Sequence, residues 1–196
     1  MKFNKNPIFI GLSGKIGSGK DTVAKIIAEE FPEHNFHIKS FASGVRNIYN
    51  VLCPYDRIPE ECTQDWKKNN NPMFAIARRS MLEGIGEGIR QHVHEDIWAW
   101  TLFYNNVRYG HNLIIPDVRY KNELTMIRKF DGHVFRVVRT NNPHPQTEHI
   151  SNCDLDYEDL PIIANTDSLE SLRANVVIAL LPYLEKEQGY GDVQGF

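Results

Sequence analysis

A glycine-rich turn after a short apolar run is the feature that most restricts the fold of this chain. The apolar residues 8–12 lead into residues 14–20, Gly-Lys-Ile-Gly-Ser-Gly-Lys, which fit the pattern G-x-x-x-x-G-K. Apolar residues at helical spacing follow, at Val23, Ile26, Ile27 and Phe31. Glycines let backbone N–H groups curl around a phosphate, and the lysine at the helix start reaches the β- and γ-phosphates of a nucleotide. The order of strand, loop and helix therefore predicts the start of a mononucleotide-binding α/β domain.

The residue after the lysine of this motif departs from the usual pattern. Asp21 stands where a Ser or Thr hydroxyl normally binds Mg²⁺, and Thr22 follows it. A carboxylate there can bind the ion directly, act through water, abstract a proton from an attacking phosphate, or only place a negative charge at a helix N-terminus. The chain also lacks the Asn-Lys-x-Asp tetrapeptide of GTPases. These features disfavour motor ATPases and GTPases and favour small-molecule kinases.

The rest of the chain alternates strand-like and helical patterns. Strands are predicted over 36–41, 113–115, 133–139 and 161–164. Helices are predicted over 45–52 and 73–93, after Asp96, around 124–130, and from Asp167 to a kink or end at Pro182. No repeat or linker divides the chain, so we expect a single domain over 1–196. Its predicted architecture is α/β, with a parallel sheet flanked by helices on both faces in three layers.

Two local patterns qualify this picture. Gly84, Gly86 and Gly88 weaken the helical pattern and suggest close packing or a bend. Residues 53–72 are polar and marked by prolines, which predicts a surface insertion, and 140–154 is predicted as a polar loop.

Composition excludes several classes of protein. With 22 Lys+Arg against 25 Asp+Glu, the net charge of -3 provides no global field for nucleic acid. The three cysteines form no Cys-x-x-Cys pair, and the histidines lack a convincing ligand spacing, so a disulfide framework or zinc site is not expected. The longest apolar run, 176–181, is too short to span a membrane, and no signal peptide is recognised. We therefore expect a cytoplasmic protein.

Four segments in this order resemble the bacteriophage-type deoxynucleoside monophosphate kinases, a branch of the P-loop nucleoside monophosphate kinase fold. The segments are the Gly-Lys-Asp-Thr loop at 19–22, residues 82–90 leading to Asp96-Ile97-Trp98, residues 117–123, and residues 147–151 before Leu155-Asp156. The resemblance runs from Phe9 to about Leu172, and it departs at Asn152, where an acidic residue is expected.

The resemblance implies transfer of the γ-phosphate of ATP to a deoxynucleoside monophosphate, with Mg²⁺, to give ADP and the diphosphate. It also implies a monophosphate-binding part within about 42–95 and a lid near 139–152, and the host cytoplasm as the location if a phage encodes the protein. The partner is then the small substrate, with neither nucleic acid nor membrane, and a homodimer is left open.

Candidate site residues follow from these motifs and from the resemblance. Phosphoryl transfer between two phosphorylated substrates needs several cations around one point, and arginine suits bidentate phosphate contacts. Asp117 ends an apolar strand, where a Walker-B-like carboxylate would face the loop and its metal. Catalytic roles are predicted for Lys20, Asp21, Asp117 and Arg119, and Mg²⁺ binding for Asp21 and Asp117. ATP binding is predicted for Gly14, Lys15, Ile16, Gly17, Ser18, Gly19, Lys20, Thr22 and Arg139. Binding of the acceptor is predicted for Arg46, Arg90, Asp96 and Trp98.

Alternatives stay open for several of these residues. Any one of the arginines can instead form a surface salt bridge, Asp117 can cap a helix, and Trp98 can be a core aromatic. The function also has two rivals. One is a kinase of another small phosphorylated metabolite, such as phosphomevalonate, and the other is a regulatory or assembly module that binds ATP without transferring phosphate. The accepted bases depend on side-chain geometry that the motifs do not specify.

Overall fold

Five parallel strands form one sheet within the residues that the computed structural model describes, which are 7–59, 72–140, 155–166 and 168–188. The strands are β1 (Phe9–Ser13), β2 (His37–Ile38), β3 (Leu113–Ile115), β4 (His133–Arg139) and β5 (Ile162–Asn165). Their order across the sheet is β2-β3-β1-β4-β5, and every neighbouring pair is parallel. The first strand is therefore central, and the loop that follows it leaves the middle of the sheet.

Helices connect these strands. They are α1 (Lys20–Glu30), α2 (Ala42–Leu52), α3 (Pro72–His92), α4 (Ile97–Val107), α5 (Lys121–Lys129) and α6 (Leu169–Gln188), and a 3₁₀ turn lies at Pro32–His34. None of the helices in the described ranges is long and apolar enough to cross a lipid bilayer.

The chain divides into two compact units. The described residues of Met1–Lys39 and Tyr109–Phe196 form the first unit, which contains the sheet with α1, α5 and α6. Ser40–Arg108 forms the second, which contains α2, α3 and α4. The single domain over 1–196 and the monophosphate-binding part at about 42–95 stay predictions. The proposed lid at 139–152 lies almost entirely outside the described residues.

The first unit is built from strands that are buried on both faces. All five residues of β1 are buried, and Ile10 and Leu12 pack in one core with α1 and α6. Side chains alternate along a strand, so Gly11 faces the other layer, where a Cβ would lie 2.8 Å from Ile127 of α5. The absence of a side chain lets α5 approach the sheet closely. Helices thus cover both faces, which confirms the predicted three-layer α/β fold.

The second unit is a small helical cluster in which α2 contacts both α3 and α4. Trp98 of α4 packs against Gly44 of α2, where a Cβ would lie only 2.8 Å from the indole ring. The guanidinium of Arg78 and the hydroxyl of Tyr49 both donate to the carboxylate of Asp56. These contacts hold the segment after α2 against the helices.

The local predictions succeed in part. The strand expected at 36–41 is limited to His37–Ile38, whereas 113–115, 133–139 and 161–164 are confirmed as strands to within one residue. The helix expected at 73–93 is confirmed as continuous over Pro72–His92, but Gly84 and Gly88 show no close packing within the described residues, because no atom of that part of the chain lies within 4 Å of an added Cβ. The insertion expected at 53–72 is described only as far as residue 59, and the loop at 140–154 lies outside the described residues after 140.

Pro182 does not end helix α6. An end of the helix was one of the two outcomes expected at this proline, and a kink was the other. The helix continues to Gln188. Proline removes one backbone donor and leaves the carbonyl four residues earlier without its helical partner. That carbonyl belongs to Ile178, whose side chain is exposed, so water can reach this face of the helix.

Candidate active site

The loop between β1 and α1 has the backbone that a phosphate cradle requires. Gly14, Gly17 and Gly19 have φ angles of 143°, 78° and 98°, which L side chains rarely adopt. The tightest position is Gly14, where a Cβ would lie 2.4 Å from the carbonyl oxygen of Val137 in the neighbouring strand β4. The sequence-predicted turn is therefore enforced by the neighbouring strand as well as by its own glycines.

Lys20 begins α1 and folds back over this loop. Its Nζ donates to the carbonyl oxygens of Gly14, at 2.6 Å, and of Lys15, at 3.0 Å. Burial, followed by the positive charge of Arg119, lowers the pKa of Lys20 to about 8, although the carboxylates of Asp21 and Asp117 partly oppose the shift. Charges act in this way only over short range in a protein, so the fold brings together all four residues that the sequence nominated as catalytic.

Asp117 and Arg119 follow β3, and a buried carboxylate fixes the backbone beside them. Oε2 of Glu123 accepts hydrogen bonds from the N–H groups of Arg119, at 2.8 Å, and Tyr120, at 3.1 Å. Tyr120 is the N-cap of α5 in a capping box with Glu123, so Asp117 does not cap this helix. Glu123 was not assigned a role from the sequence, although its position three residues after the cap is the signal of such a box.

The side chain of Lys15 reaches a segment far along the chain. Its Nζ lies 2.5 Å from Oδ2 of Asp156, and both side chains are partly exposed. The guanidinium of Arg136 holds the same segment, because it donates to the carbonyl oxygens of Leu155, Asp156 and Glu158. No role was predicted for Arg136. The pairing of Lys15 with Asp156 was not predicted either, since 141 residues separate these two side chains in the sequence.

Asn165 is a further residue that sequence reasoning missed. It ends β5, and its Nδ2 donates to the carbonyl oxygen of Ser18 at 2.8 Å. The carboxyl ends of parallel strands share one edge of a sheet, and this topology is the signal that points to the residue.

The remaining predicted ATP-binding residues occupy varied positions. Ile16 is exposed, Thr22 is exposed on the first turn of α1, and Arg139 is the exposed last residue of β4. Ser18 is only 1% exposed, and its hydroxyl has no hydrogen-bond partner within the described residues. A contact of Thr22 or Arg139 with ATP stays a prediction.

The predicted acceptor residues all lie in the second unit. Arg46 of α2 donates to Oγ of Ser43 at 3.4 Å, and Arg90 of α3 donates to the carbonyl oxygen of Glu95 at 3.4 Å. Asp96 is the N-cap of α4 without a side-chain capping bond. Trp98 is 4% exposed, and its Nε1 donates to the carbonyl oxygen of Gly86 at 3.0 Å. This packing supports the core alternative for Trp98, and its contact with a nucleotide stays a prediction.

The donor set beside Lys20 fits Mg²⁺. Asp21 and Asp117 supply carboxylate oxygens, the ligand type that this ion prefers, and both are close enough to influence Lys20. Across the described ranges, no group of three or more His, Cys, Asp or Glu residues forms a metal cage. Magnesium in phosphoryl-transfer sites is usually held by one or two carboxylates together with water and substrate phosphates, so a sparse protein set is the suitable one.

A comparison with known protein families gives a match. The family model for deoxynucleotide monophosphate kinase matches residues 55–176, more than half of the chain. No curated protein sequence matches the chain.

Several solved structures with a similar arrangement are kinases with low sequence identity to this chain. Shikimate kinase from Aquifex aeolicus is 16% identical, with 94% of this chain and 100% of that chain covered and a TM-score of 0.42. A gluconokinase from Sinorhizobium meliloti is 12% identical, with 95% and 98% covered and a TM-score of 0.43. The APS kinase of Mycobacterium tuberculosis, solved with AMPPNP and APS, is 11% identical, with 90% and 98% covered and a TM-score of 0.43. These similarities are too distant to indicate a substrate.

A parallel α/β sheet with a glycine-rich loop and lysine after its central strand defines a P-loop nucleotide-binding fold, and the family match makes this chain a P-loop kinase, an ATP-dependent phosphotransferase. The match over 55–176 does not include the loop, so it is a separate indication of the same class. The chain belongs to the deoxynucleotide monophosphate kinase family.

Proposed function

We propose that the protein transfers the γ-phosphate of ATP to a deoxynucleoside 5′-monophosphate. The observation that carries the proposal is the set of charges around Lys20, namely Arg119, Asp21 and Asp117. Two cations and two carboxylates beside a phosphate-binding loop are what phosphoryl transfer requires, because catalysis there is mainly positioning and charge stabilisation. Membership of the family supports the nature of the acceptor.

The reaction moves one phosphoryl group between two phosphate oxygens. An oxygen of the acceptor monophosphate forms a bond to the γ-phosphorus, and the bond from that phosphorus to the β,γ-bridging oxygen breaks, so ADP leaves with the electron pair. The loop N–H groups and Lys20 hold the donor phosphates, and Lys20 and Arg119 stabilise the negative charge that spreads over the transferred group.

Asp21 is better suited to metal binding than to general base catalysis. A phosphate monoester has its second pKa near 6, so most of the acceptor carries no proton on its phosphate at neutral pH. An attacking oxygen that is already ionised does not require a base. Asp21 and Asp117 would hold Mg²⁺, which, when bound, neutralises charge on the donor phosphates.

We assign binding of the acceptor phosphate to Arg90 and Arg46. Asp96 is assigned to contact with the nucleoside of the acceptor. Arg90 lies in the last turn of α3, in a segment that resembles the monophosphate-binding part of the family, and its guanidinium can form two parallel bonds to one phosphate. Arg139 is assigned to ATP.

A panel of acceptors tests the proposal. Purified protein is incubated with ATP, Mg²⁺ and, one at a time, the four common deoxynucleoside monophosphates, the matching ribonucleotides and phosphomevalonate, and the products are separated by ion exchange. We expect equal amounts of ADP and a deoxynucleoside diphosphate from at least one acceptor. Lys20→Met is the matched control and should lower kcat by about a hundredfold or more. Turnover of phosphomevalonate alone, or ATP binding without product from any acceptor, would contradict the proposal.

A further inference from the structure

The carboxamide of Asn165 lies against the phosphate loop at a point where the loop has no side chain. Its Nδ2 donates to the carbonyl oxygen of Ser18 at 2.8 Å, across 147 residues of sequence. A Cβ added to Gly19 would lie 2.5 Å from the same Nδ2. Gly19 therefore meets two requirements, since its φ of 98° excludes most side chains and its missing Cβ makes room for the amide of Asn165.

This hydrogen bond fixes the orientation of one peptide plane. The described part of the chain has no cis peptide bonds, and in a trans peptide the carbonyl and the N–H of the next residue point in opposite directions. Because Asn165 holds the carbonyl of Ser18, it also aims the N–H of Gly19 away from β5. Gly19 is the N-cap of α1, so this N–H belongs to the group of loop and helix-start donors that bind phosphate.

The side chain of Ser18 adds a second constraint on the same residue. Ser18 is 1% exposed, and its hydroxyl approaches Gly14, where an added Cβ would lie 2.9 Å from Oγ. The side chain is thus packed inside the loop while the carbonyl is held from outside by Asn165. Because both the side chain and the carbonyl of Ser18 are held in place, the Ser18–Gly19 peptide has little conformational freedom.

We propose that Asn165 is a positioning residue for the ATP phosphates, which acts through the Ser18–Gly19 peptide to preorganise the loop. Binding of ATP then avoids the entropic cost of ordering this peptide. The inference rests on the proposed binding of ATP by the loop and is independent of which acceptor is used.

The chain offers a matched control for this role. Asn175 of α6 also donates its Nδ2 to a backbone carbonyl, that of Ala164 in β5, at 2.9 Å. Its hydrogen bond joins a helix to a strand and does not involve the phosphate loop. Loss of that bond should affect stability, whereas loss of the Asn165 bond should also affect ATP binding.

The test compares three variants by calorimetric titration of the full-length protein with ATP and Mg²⁺, together with thermal unfolding. We expect Asn165→Ala to raise the Kd for ATP about tenfold, the factor that corresponds to ordering one backbone residue on binding. Asn165→Leu keeps a side chain of similar volume without the donor and should show the same rise in the Kd for ATP. It also provides the test if Asn165→Ala does not fold. Asn175→Ala should lower the Tm and leave the Kd for ATP unchanged.

Three results would overturn the inference. They are an unchanged Kd for ATP in folded Asn165 variants, recovery of wild-type affinity in Asn165→Leu, and an equal rise in Asn175→Ala. A wild type that binds ATP but phosphorylates no deoxynucleoside monophosphate contradicts the proposed acceptor and leaves this test intact. A wild type that does not bind ATP contradicts both.

Discussion

The ammonium group of Lys20 is partly buried, and burial disfavours its charged form. Its ammonium group is partly withdrawn from water, and Arg119 adds a like charge, so the pKa falls to about 8. A lysine with that pKa is partly neutral under mildly alkaline conditions. The charge that ATP requires is therefore present at neutral pH and is lost above it.

The affinity for ATP should consequently depend on pH. If only the protonated form of Lys20 binds the phosphates well, the Kd should rise about tenfold between pH 7 and pH 9, because about nine in ten free molecules then have a neutral Lys20. Calorimetric titration with ATP at pH 7, 8 and 9 measures this change. Lys20→Arg stays protonated throughout and should give a flat profile, and a flat profile in the wild type would show that Lys20 does not titrate in this range.

Asp21 is the second residue whose role is open to a direct test. If its carboxylate helps to hold Mg²⁺, Asp21→Asn should lower kcat about a hundredfold, and a higher Mg²⁺ concentration should restore part of the activity. Asp21→Ser supplies the hydroxyl found in most phosphate loops and should retain more activity than Asp21→Asn. Steady-state rates over a range of Mg²⁺ concentrations provide the measurement. Wild-type rates in both variants would leave Asp21 as a charge at the helix terminus only.

Among the elements, the helices of the second unit use glycine in two opposite ways. Gly84 lies in α3, and among the residues that the structure describes no atom lies within 4 Å of the place where a Cβ would be, so the glycine weakens the helix without a packing role there. Gly44 lies in α2 directly beneath the ring of Trp98, where a Cβ would overlap with Cε3 at 2.8 Å. The first glycine costs stability, and the second is required by packing.

Alanine substitutions should therefore have opposite effects at these two positions. Gly84→Ala should raise the free energy of unfolding by about 0.5–1 kcal/mol, since alanine loses less backbone entropy in a helix. Gly44→Ala should lower it by about 1–3 kcal/mol, because the indole ring is buried and cannot move aside freely. Urea unfolding monitored by circular dichroism compares the two. Equal effects of the same sign would mean that the packing of α2 against α4 is not as the structure has it.

At the scale of the whole molecule, donor and acceptor functions are assigned to different units. The phosphate loop and the charges around Lys20 belong to the first unit, and Arg90 belongs to the second. Each assignment can be tested separately, because binding of one nucleotide in the absence of the other reports on its own set of residues.

Arg90→Met should weaken binding of the acceptor and leave binding of ATP nearly unchanged. A neutral side chain cannot replace a bidentate guanidinium contact, so the Kd for a deoxynucleoside monophosphate should rise at least tenfold. Calorimetry with each nucleotide alone gives the answer. Arg79→Met, which removes an exposed arginine of the same helix that pairs with Glu83, is the control and should alter neither affinity. A selective loss of ATP binding in Arg90→Met would reverse the assignment of the two substrates.

Local features of this protein were open to prediction because their causes lie in neighbouring residues. The phosphate loop needs glycines at particular positions, and β1, β3, α1 and α5 have patterns of apolar residues that reflect burial within a few residues. These patterns were sufficient for the fold class, whereas the catalytic roles of Lys20, Asp21, Asp117 and Arg119 stay predictions. The short extent of β2 was missed because an alternating pattern does not show where a neighbouring strand ends.

The sequence by itself determined the phosphate loop, the lysine of that loop, Lys20, and the α/β class. Each of these follows from a motif or a periodicity within a short stretch of the chain. Only the tertiary structure decided which distant groups meet that loop. Asn165 reaches Ser18, and Asp156 reaches Lys15, because β4 lies beside β1 and β5 lies beside β4, so that the carboxyl ends of these parallel strands share one edge of the sheet. Contacts of this kind depend on strand order, and strand order is set by the packing of the entire core, which no short segment contains.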